Sequence, residues 1–380
     1  MSTALDRCRV CASPFFETPL LVQKNMPAAA QYFPDEAGLK TDKGIDLVLC
    51  QCQGCGLVQL SNEPVPYHRE VIRAAGFSPE MQAFRTQQFQ AFVDRFKLKN
   101  KKVIEMGCGR GEYLSLMKAC GTIASGIEFS ESAVESCQNN GLDVRKDYIE
   151  DSTQRLIDGP YDAFFIMSFL EHMPRINAAL QGIANNLSSG AVGMVEVPNF
   201  DMILKNDLFS EFITDHLFYF TQASLTSLLQ NNGFEVLECN VVWHDYIISA
   251  VVKKRSPLNL EHFKYKEQQI KKTFDDFLAQ FPANTVATWG AGHQALAIMA
   301  MAELGGRVKY VVDSAPFKQG KYTHATHIPI VDPSQLKKDP VRAVMVMAAS
   351  YSDEVVRTIR REYGNDLSLA VLRDAGLEVL

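Results

Sequence analysis

From residue 103 onward, apolar runs alternate with amphipathic stretches in the rhythm of strand, helix, strand. KKVIEMG, IASGIEF, LDVRKD, YDAFFIMSF and GAVGMVEVP each read as a short buried strand, with helices at 130–140 and 175–188 between them. Two late runs, GFEVLECNVVW and DYIISAVVKK, follow in quick succession and predict an antiparallel pair closing a parallel sheet. Upstream, residues 80–98 carry Met81, Phe84, Phe89, Phe92, Val93 and Phe96 as a helical stripe. Downstream, 258–281 sets Phe263, Ile270, Phe274, Phe277 and Phe281 on one side and charge on the other, which predicts an amphipathic connector. A second α/β rhythm then runs through TVATWGAGH, VKYVVDSAP, VRAVMVMA and LSLAVL. Residues 1–66 hold only short strand-like runs, IDLVLC and GLVQL. Three parts are expected: 1–66, 67–256 and 257–380.

The first strand of the long alternation, in VIEMGCGRGEYL, runs into the turn Gly107-Cys108-Gly109-Arg110-Gly111; the next ends on Glu128. A strand, a glycine turn and an acid roughly 20 positions later is how an α/β domain holds a nucleoside-like cofactor. The glycines admit the ligand to the backbone, and the acid takes the ribose hydroxyls. Two details point away from NAD. The pattern is G-x-G-x-G rather than G-x-G-x-x-G, and Glu105 before the turn would repel a pyrophosphate. That carboxylate suits the cationic amino group of S-adenosylmethionine (SAM). E-x-G-x-G-x-G with Glu128 downstream resembles the first two motifs of class I SAM-dependent methyltransferases. The resemblance implies an α/β fold with a seven-stranded sheet. It also implies cofactor contacts from Glu105, Gly107, Gly109, Gly111 and Glu128, with Ser168 after the fourth strand. Asp147, at the end of the third strand, would reach the adenine amino group.

The second α/β unit has its own glycine turn, Gly290-Ala291-Gly292, and its own strand ending in an acid, Asp313. It is either a second nucleotide site or a Rossmann-like unit used for packing.

Composition narrows the class. With 380 residues, 47% hydrophobic and 22% charged, the chain reads as a soluble multidomain protein. A net charge of −6 with no basic run argues against a nucleic-acid partner. MSTALDRCRV lacks an apolar signal core and no run is long enough to span a bilayer, so a cytoplasmic location without membrane attachment is expected. Five of nine cysteines fall in the first 55 residues. Cys8-x-x-Cys11 and Cys52-x-x-Cys55 are two knuckles that read as a structural Cys₄ zinc site, with Cys50 as a competitor for Cys52. Disulfides are the alternative, disfavoured in a reducing compartment.

A zinc-binding amino-terminal module, a SAM-binding core and a carboxy-terminal Rossmann-like domain together resemble the nucleotide-sugar C-methyltransferases. DSAPFKQGKYTHATHIPIV (313–331) is similar to that family's D-x-x-P-x-K-x-G-x-x-T-P-G-T-x-I-P-I-V, with Asp313, Pro316, Lys318, Gly320, Ile328, Pro329 and Ile330 in place. Cys55-Gly56-Leu57-Val58-Gln59-Leu60 resembles its closing knuckle, and EFITDHLFYFT (211–221) its H-E-H-x-x-Y-F-S segment. Membership implies that a base removes the proton α to the ketone of a nucleotide-activated 4-keto sugar, and the enolate attacks the SAM methyl. His216 is the expected base, oriented by Asp215, because imidazole titrates near neutral pH. Tyr67, in a Tyr67-His68 pair that resembles the opening of the family's substrate loop, would donate to the sugar or enolate oxygen. His68, Arg73, His172, Tyr219 and Lys318 are expected to line the substrate, with His172 in a supporting role. Family relatives imply a monomer.

The chain departs from the family in three places. REVIRAAGFSPEM (69–81) replaces a serine-rich stretch and brings Arg69 and Arg73. His324-Ala325 replaces Pro-Gly, and Asp215 replaces Glu. These departures leave open an O- or N-methyltransferase acting on a sugar or another small polar metabolite. A non-catalytic sugar-nucleotide-binding protein is the remaining alternative, opposed by the retention of both Glu105 and Glu128.

Overall fold

The structure is a computed structural model that describes residues 5–71 and 78–380. By its internal contacts the chain divides into two units, one ending at Ser256 and one spanning Pro257–Leu380.

The first unit is built on a seven-stranded sheet. In spatial order its strands are Phe234–Val242, Ile247–Lys254, Leu187–Pro198, Tyr161–Met167, Lys102–Met106, Ile123–Glu128 and Asp143–Lys146. Ile247–Lys254 alone runs against the rest. That is the α/β arrangement of a class I methyltransferase, with the antiparallel pair where the two late apolar runs placed it. The central strands are covered on both faces, which is why they read as unbroken apolar runs: Ala163 to Met167 are all fully buried. The chain starts at Lys102–Met106, builds outward on one side and then returns to the other. The carboxyl ends of Lys102–Met106 and Tyr161–Met167 therefore flank a switch point, where open α/β sheets bind ligands.

Helix Pro79–Phe96 covers one face, capped by the Ser78 hydroxyl, which accepts from the Met81 N–H at 3.1 Å. Its inner face contains a charge as well as apolar groups. Arg85, 1% exposed, pairs with the fully buried Glu196 and lies over the Tyr113 ring. An apolar-stripe reading passes over such a residue because only its partner makes its burial tolerable.

The amino-terminal strands Leu21–Met26, Ile45–Gln51 and Val58–Leu60 form a separate sheet. Its fourth strand comes from far along the chain: Phe218–Tyr219 pairs with Val58 and Gln59. Leu47, Leu49 and Leu60 pack with Phe200, Phe212 and Tyr219 in one shared core. The cysteine module is thus joined by backbone and core to the segment that carries Asp215 and His216.

The second unit has a six-stranded sheet, ordered Ile330–Val331, Val311–Val312, Val286–Trp289, Ala343–Val346, Ser368–Arg373 and Gly376–Val379. The first five are parallel and the last antiparallel, a Rossmann-like arrangement. Helix Glu261–Leu278 packs on it only by its carboxy-terminal half. Phe274 and Phe277 are buried, whereas Phe263, expected on the buried side, is 61% exposed. The apolar stripe is longer than the surface it packs against.

Candidate active site

The glycine turn sits at the switch point and is held from beneath. Gly107 and Cys108 donate to the Ile127 carbonyl at 3.0 and 3.1 Å, tying the turn to the neighbouring strand. Glu128 ends that strand and organises the turn's mouth. One carboxylate oxygen accepts the Gly109 N–H at 2.9 Å; the other accepts the N–H groups of Phe129 and Ser130, each at 2.9 Å. At Gly109, φ is +57° and a Cβ would meet nothing within 4 Å, so the backbone faces open space where a ligand approaches. Gly111 begins helix Glu112–Ala119 at φ +82°, and a Cβ there would lie 2.4 Å from Leu142 Cδ1. Glu105 is fully buried in the strand before the turn. Asp147 follows the third strand, its Oδ1 accepting from Tyr148 N and Gln154 Nε2, both at 2.8 Å. Ser168 sits at φ +50° just after the fourth strand. These residues fit the adenosine end of SAM: acceptors at two neighbouring strand ends, an open glycine backbone and aromatic rings beside them.

A run of ring contacts leads from this cradle to the histidines. Phe129 and His68 each meet Tyr148 edge-on, Tyr148 meets Phe169, Phe169 tilts against His172, and His172 meets His216 at 4.9 Å. Two hydrogen bonds fix the histidine pair. His172 Nδ1 donates to the Asp215 carbonyl at 2.8 Å, which leaves its Nε2 as the lone-pair nitrogen. Leu217 N–H donates to the Glu171 carbonyl at 3.0 Å. Glu171, His172 and His216 bring side-chain polar atoms within 4.8 Å of one another. Burial pushes the His172 pKa down to about 4, against the pull of Asp215. Burial, and then the neighbouring His172, hold His216 well below its ordinary 6.5. Both rings are neutral at pH 7.

The Tyr67 hydroxyl donates to Asp215 Oδ1 at 2.8 Å and accepts the Ala30 N–H at 2.8 Å. Burial and the Asp215 carboxylate push its pKa up to about 12, so it stays a proton donor. The Tyr219 hydroxyl accepts from Ile213 N–H at 3.2 Å while its ring faces His216 at 6.3 Å. It shapes the loop that carries His216. His68 holds the Val65 carbonyl through Nδ1 at 3.1 Å. Arg73 lies outside the described residues. In the second unit, Lys318 Nζ is bonded to Asp313 at 2.9 Å.

Near the amino terminus the sulfurs of Cys8, Cys11, Cys52 and Cys55 converge, and Cys50 stays outside the group. Cys8 and Cys55 are 3.7 Å apart, Cys11 and Cys52 3.3 Å. A tetrahedral zinc with bonds of about 2.3 Å spaces its sulfurs by about 3.8 Å. Backbone N–H groups of Val10 and Gly54 point at Cys8 and Cys52 at 3.3 Å, and Gln59 Nε2 donates to Cys8 at 3.1 Å. At Cys8 burial raises the thiol pKa, and these donors pull against it. Gln59 also pairs with Phe218, so the strand that steadies a sulfur also steadies the His216 loop.

Residues 81–239 match the methyltransferase domain family and residues 252–369 the C-methyltransferase C-terminal domain. The chain belongs to the class I SAM-dependent C-methyltransferases. This methyltransferase is 23% identical to the C-methyltransferase NovU of Streptomyces niveus over 392 residues, covering 93% of this chain and 91% of that one. It is 34% identical over 97 residues to the ubiquinone biosynthesis O-methyltransferase of Methylococcus capsulatus (strain ATCC 33009 / NCIMB 11132 / Bath), 24% of this chain and 39% of that relative. Among solved structures, a SAM-dependent methyltransferase from Clostridium acetobutylicum ATCC 824 overlaps 46% of this chain and 92% of its own, at 12% identity and a TM-score of 0.39. That overlap is too loose to carry an argument. The protein is therefore a SAM-dependent methyltransferase, and among its described residues no helix is long and apolar enough to cross a membrane.

Sequence reasoning missed three residues here. Glu171 hides beside the histidine it accompanies. Arg85 reads as a surface charge on an apolar helix. Ala30 acts through its backbone, and no sequence signal marks that.

Proposed function

We propose that this enzyme methylates carbon in a nucleotide-activated 4-keto deoxysugar, with His216 as the base. The reading is carried by one observation: a neutral imidazole, His216, and a protonated phenol, Tyr67, share the Asp215 loop beside the cofactor turn. A ketone acidifies the neighbouring C–H. His216 takes that proton as a neutral base, and the Tyr67 hydroxyl turns its one proton from Asp215 Oδ1 to the developing enolate oxygen. SAM, when bound against Glu105, Gly107, Gly109, Gly111, Glu128, Asp147 and Ser168, supplies an electrophilic methyl group. His172 holds its own tautomer through the Asp215 carbonyl, and burial keeps the neighbouring base uncharged. His68 and Tyr219 lie on the segments that frame the substrate. The four cysteines hold a structural zinc that anchors the Asp215–Tyr219 segment. The full-length similarity to a protein named as a C-methyltransferase favours carbon over oxygen.

The test uses SAM with a ¹³C-labelled methyl and a panel of nucleotide-linked 4-keto-6-deoxy sugars, read by NMR. A methyl-on-carbon shift with loss of the α proton is expected; a methoxy shift, or turnover only with substrates lacking a ketone, sinks the carbon reading. His216→Asn should lower kcat by about 10²- to 10⁴-fold with SAM affinity unchanged. Because the active form of His216 is neutral and its pKa is depressed, the acid limb of kcat/KM should lie below pH 6.5. A limb at or above that value rules this histidine out. One zinc per chain, lost together with activity on Cys52→Ser, is the expectation for the metal; full activity without metal refutes it.

A further inference from the structure

The cradle's innermost recess, between Met106, Ile127, Glu128, Asp147 and Phe169, is closed by a side chain from outside the sheet, that of Arg69. Its guanidinium lies 5.5 Å from the Phe129 ring centre and 5.6 Å from that of Tyr148. Its NH2 group bonds Glu150 Oε1 at 2.6 Å. The cavity left over is about 10 Å³, room for about one water molecule. A guanidinium is flat, cationic and weakly hydrated, and stacks well on aromatic faces. An adenine ring is also flat and seeks the same faces.

We propose that Arg69 and the adenine ring of SAM occupy this slot in alternation, so that cofactor entry expels the guanidinium and shifts the turn carrying Tyr67 and His68. The inference rests on the strand end at Glu128–Phe129 being the adenosine site. The backbone that carries the two rings is anchored. Phe129 N–H is bonded to the Glu128 carboxylate and Tyr148 N–H to that of Asp147, each at a strand end. Arg69 can leave. It is held by stacking and by one ion pair whose side chains are 39% and 32% exposed. Among the described residues, its buried Nε has no hydrogen-bond partner. Two residues before it, Tyr67 is bonded to Asp215; one residue before it, the His68 ring meets Tyr148 edge-on at 6.1 Å. Movement of Arg69 is therefore felt by the residues that line the reaction pocket, and the cofactor binds before the acceptor is correctly faced. An arginine at this position is one of the chain's departures from the serine-rich stretch of the family it resembles.

The experiment is calorimetric titration of the full-length enzyme with S-adenosylhomocysteine, adenosine and methionine, for the unaltered protein, Arg69→Ala and Glu150→Gln. Removing the competitor should tighten S-adenosylhomocysteine and adenosine by a similar factor of about ten and leave methionine unchanged. Glu150→Gln, which frees the guanidinium without deleting it, should tighten both by less. Thermal melts check that the variants fold. Equal or weaker S-adenosylhomocysteine binding by Arg69→Ala overturns the proposal, since the guanidinium would then lie beside or over adenine rather than in its place. A folded, unaltered protein that binds none of the three ligands instead overturns the cofactor site on which the proposal rests.

Discussion

The two glycine turns of this chain are built alike and differ at one charge. In each, a parallel strand runs into a glycine turn, a helix follows, and the next strand ends in an acid that accepts a backbone N–H of the turn. Glu128 takes Gly109 N–H at 2.9 Å; Asp313 takes Ala291 N–H at 2.8 Å. The side-chain hydrogen bonds of Glu128 among the described residues come from neutral backbone donors, with no side-chain cation beside them. Asp313 is instead neutralised by Lys318, which occupies the same oxygen that reaches the turn. The carboxylate is thus spent within the protein. The two strand–turn–acid patterns thus differ in whether a side-chain cation of the protein meets the acid.

The largest effect that tests this contrast is on cofactor affinity. Glu128→Gln keeps the shape but loses the charge-assisted bonds, which should weaken S-adenosylhomocysteine by about 30- to 100-fold, about 2–3 kcal/mol. Asp313→Asn should leave that affinity within about twofold. Its cost falls on stability instead, about 1–3 kcal/mol for stranding Lys318 and the turn N–H, visible as a lower Tm. Calorimetry and thermal melts on both variants separate the cases; a cofactor defect in Asp313→Asn would erase the distinction.

The fate of these motifs explains what was legible beforehand. The seven-stranded sheet, the glycine turn after its first strand and the cysteine quartet could be read because each depends on local pattern: periodicity, glycine spacing, paired knuckles. The role of Lys318 could not. Its place in a motif suggested contact with substrate, but the residue that decides its fate, Asp313, is a neighbour it meets only once the 313–331 loop folds. Arg69 was hidden the same way, since its stacking partners Phe129 and Tyr148 lie on other strand ends. The pairing of Phe218 with Gln59 is longer in range still, and it turns the cysteine module into the support of the loop that carries Asp215 and His216.

Acid should expose the Asp313 brace. Burial opposes its charge, but Lys318 and the N–H groups of Ala315 and Ala291 outweigh that, and its pKa lies below the ordinary 3.8. A depressed carboxylate contributes stability above its unfolded pKa and loses it as the pH falls through the folded one. The Tm gap between the unaltered protein and Asp313→Asn should therefore be full at pH 7 and close as the pH falls below 3.8 and through the depressed folded value. A gap that persists there would mean that shape rather than charge sets the brace.

The smallest effects lie at the glycines themselves. Gly111→Ala must place a Cβ at φ +82° within 2.4 Å of Leu142 Cδ1, and should cost about 1–3 kcal/mol. Gly292 is the counterpart in the second turn, one residue before helix His293–Met301. Its φ is −80°, and a Cβ would meet nothing within 4 Å. Alanine there gains about 0.4–1 kcal/mol by restricting the unfolded chain. It loses a comparable amount because alanine is a poorer N-cap than glycine. The expected change in Tm is therefore near zero, with turnover intact. A folded Gly292→Ala protein that had lost activity would mean that the open space beside this turn receives a ligand, and that Lys318 is displaced from Asp313 when it does.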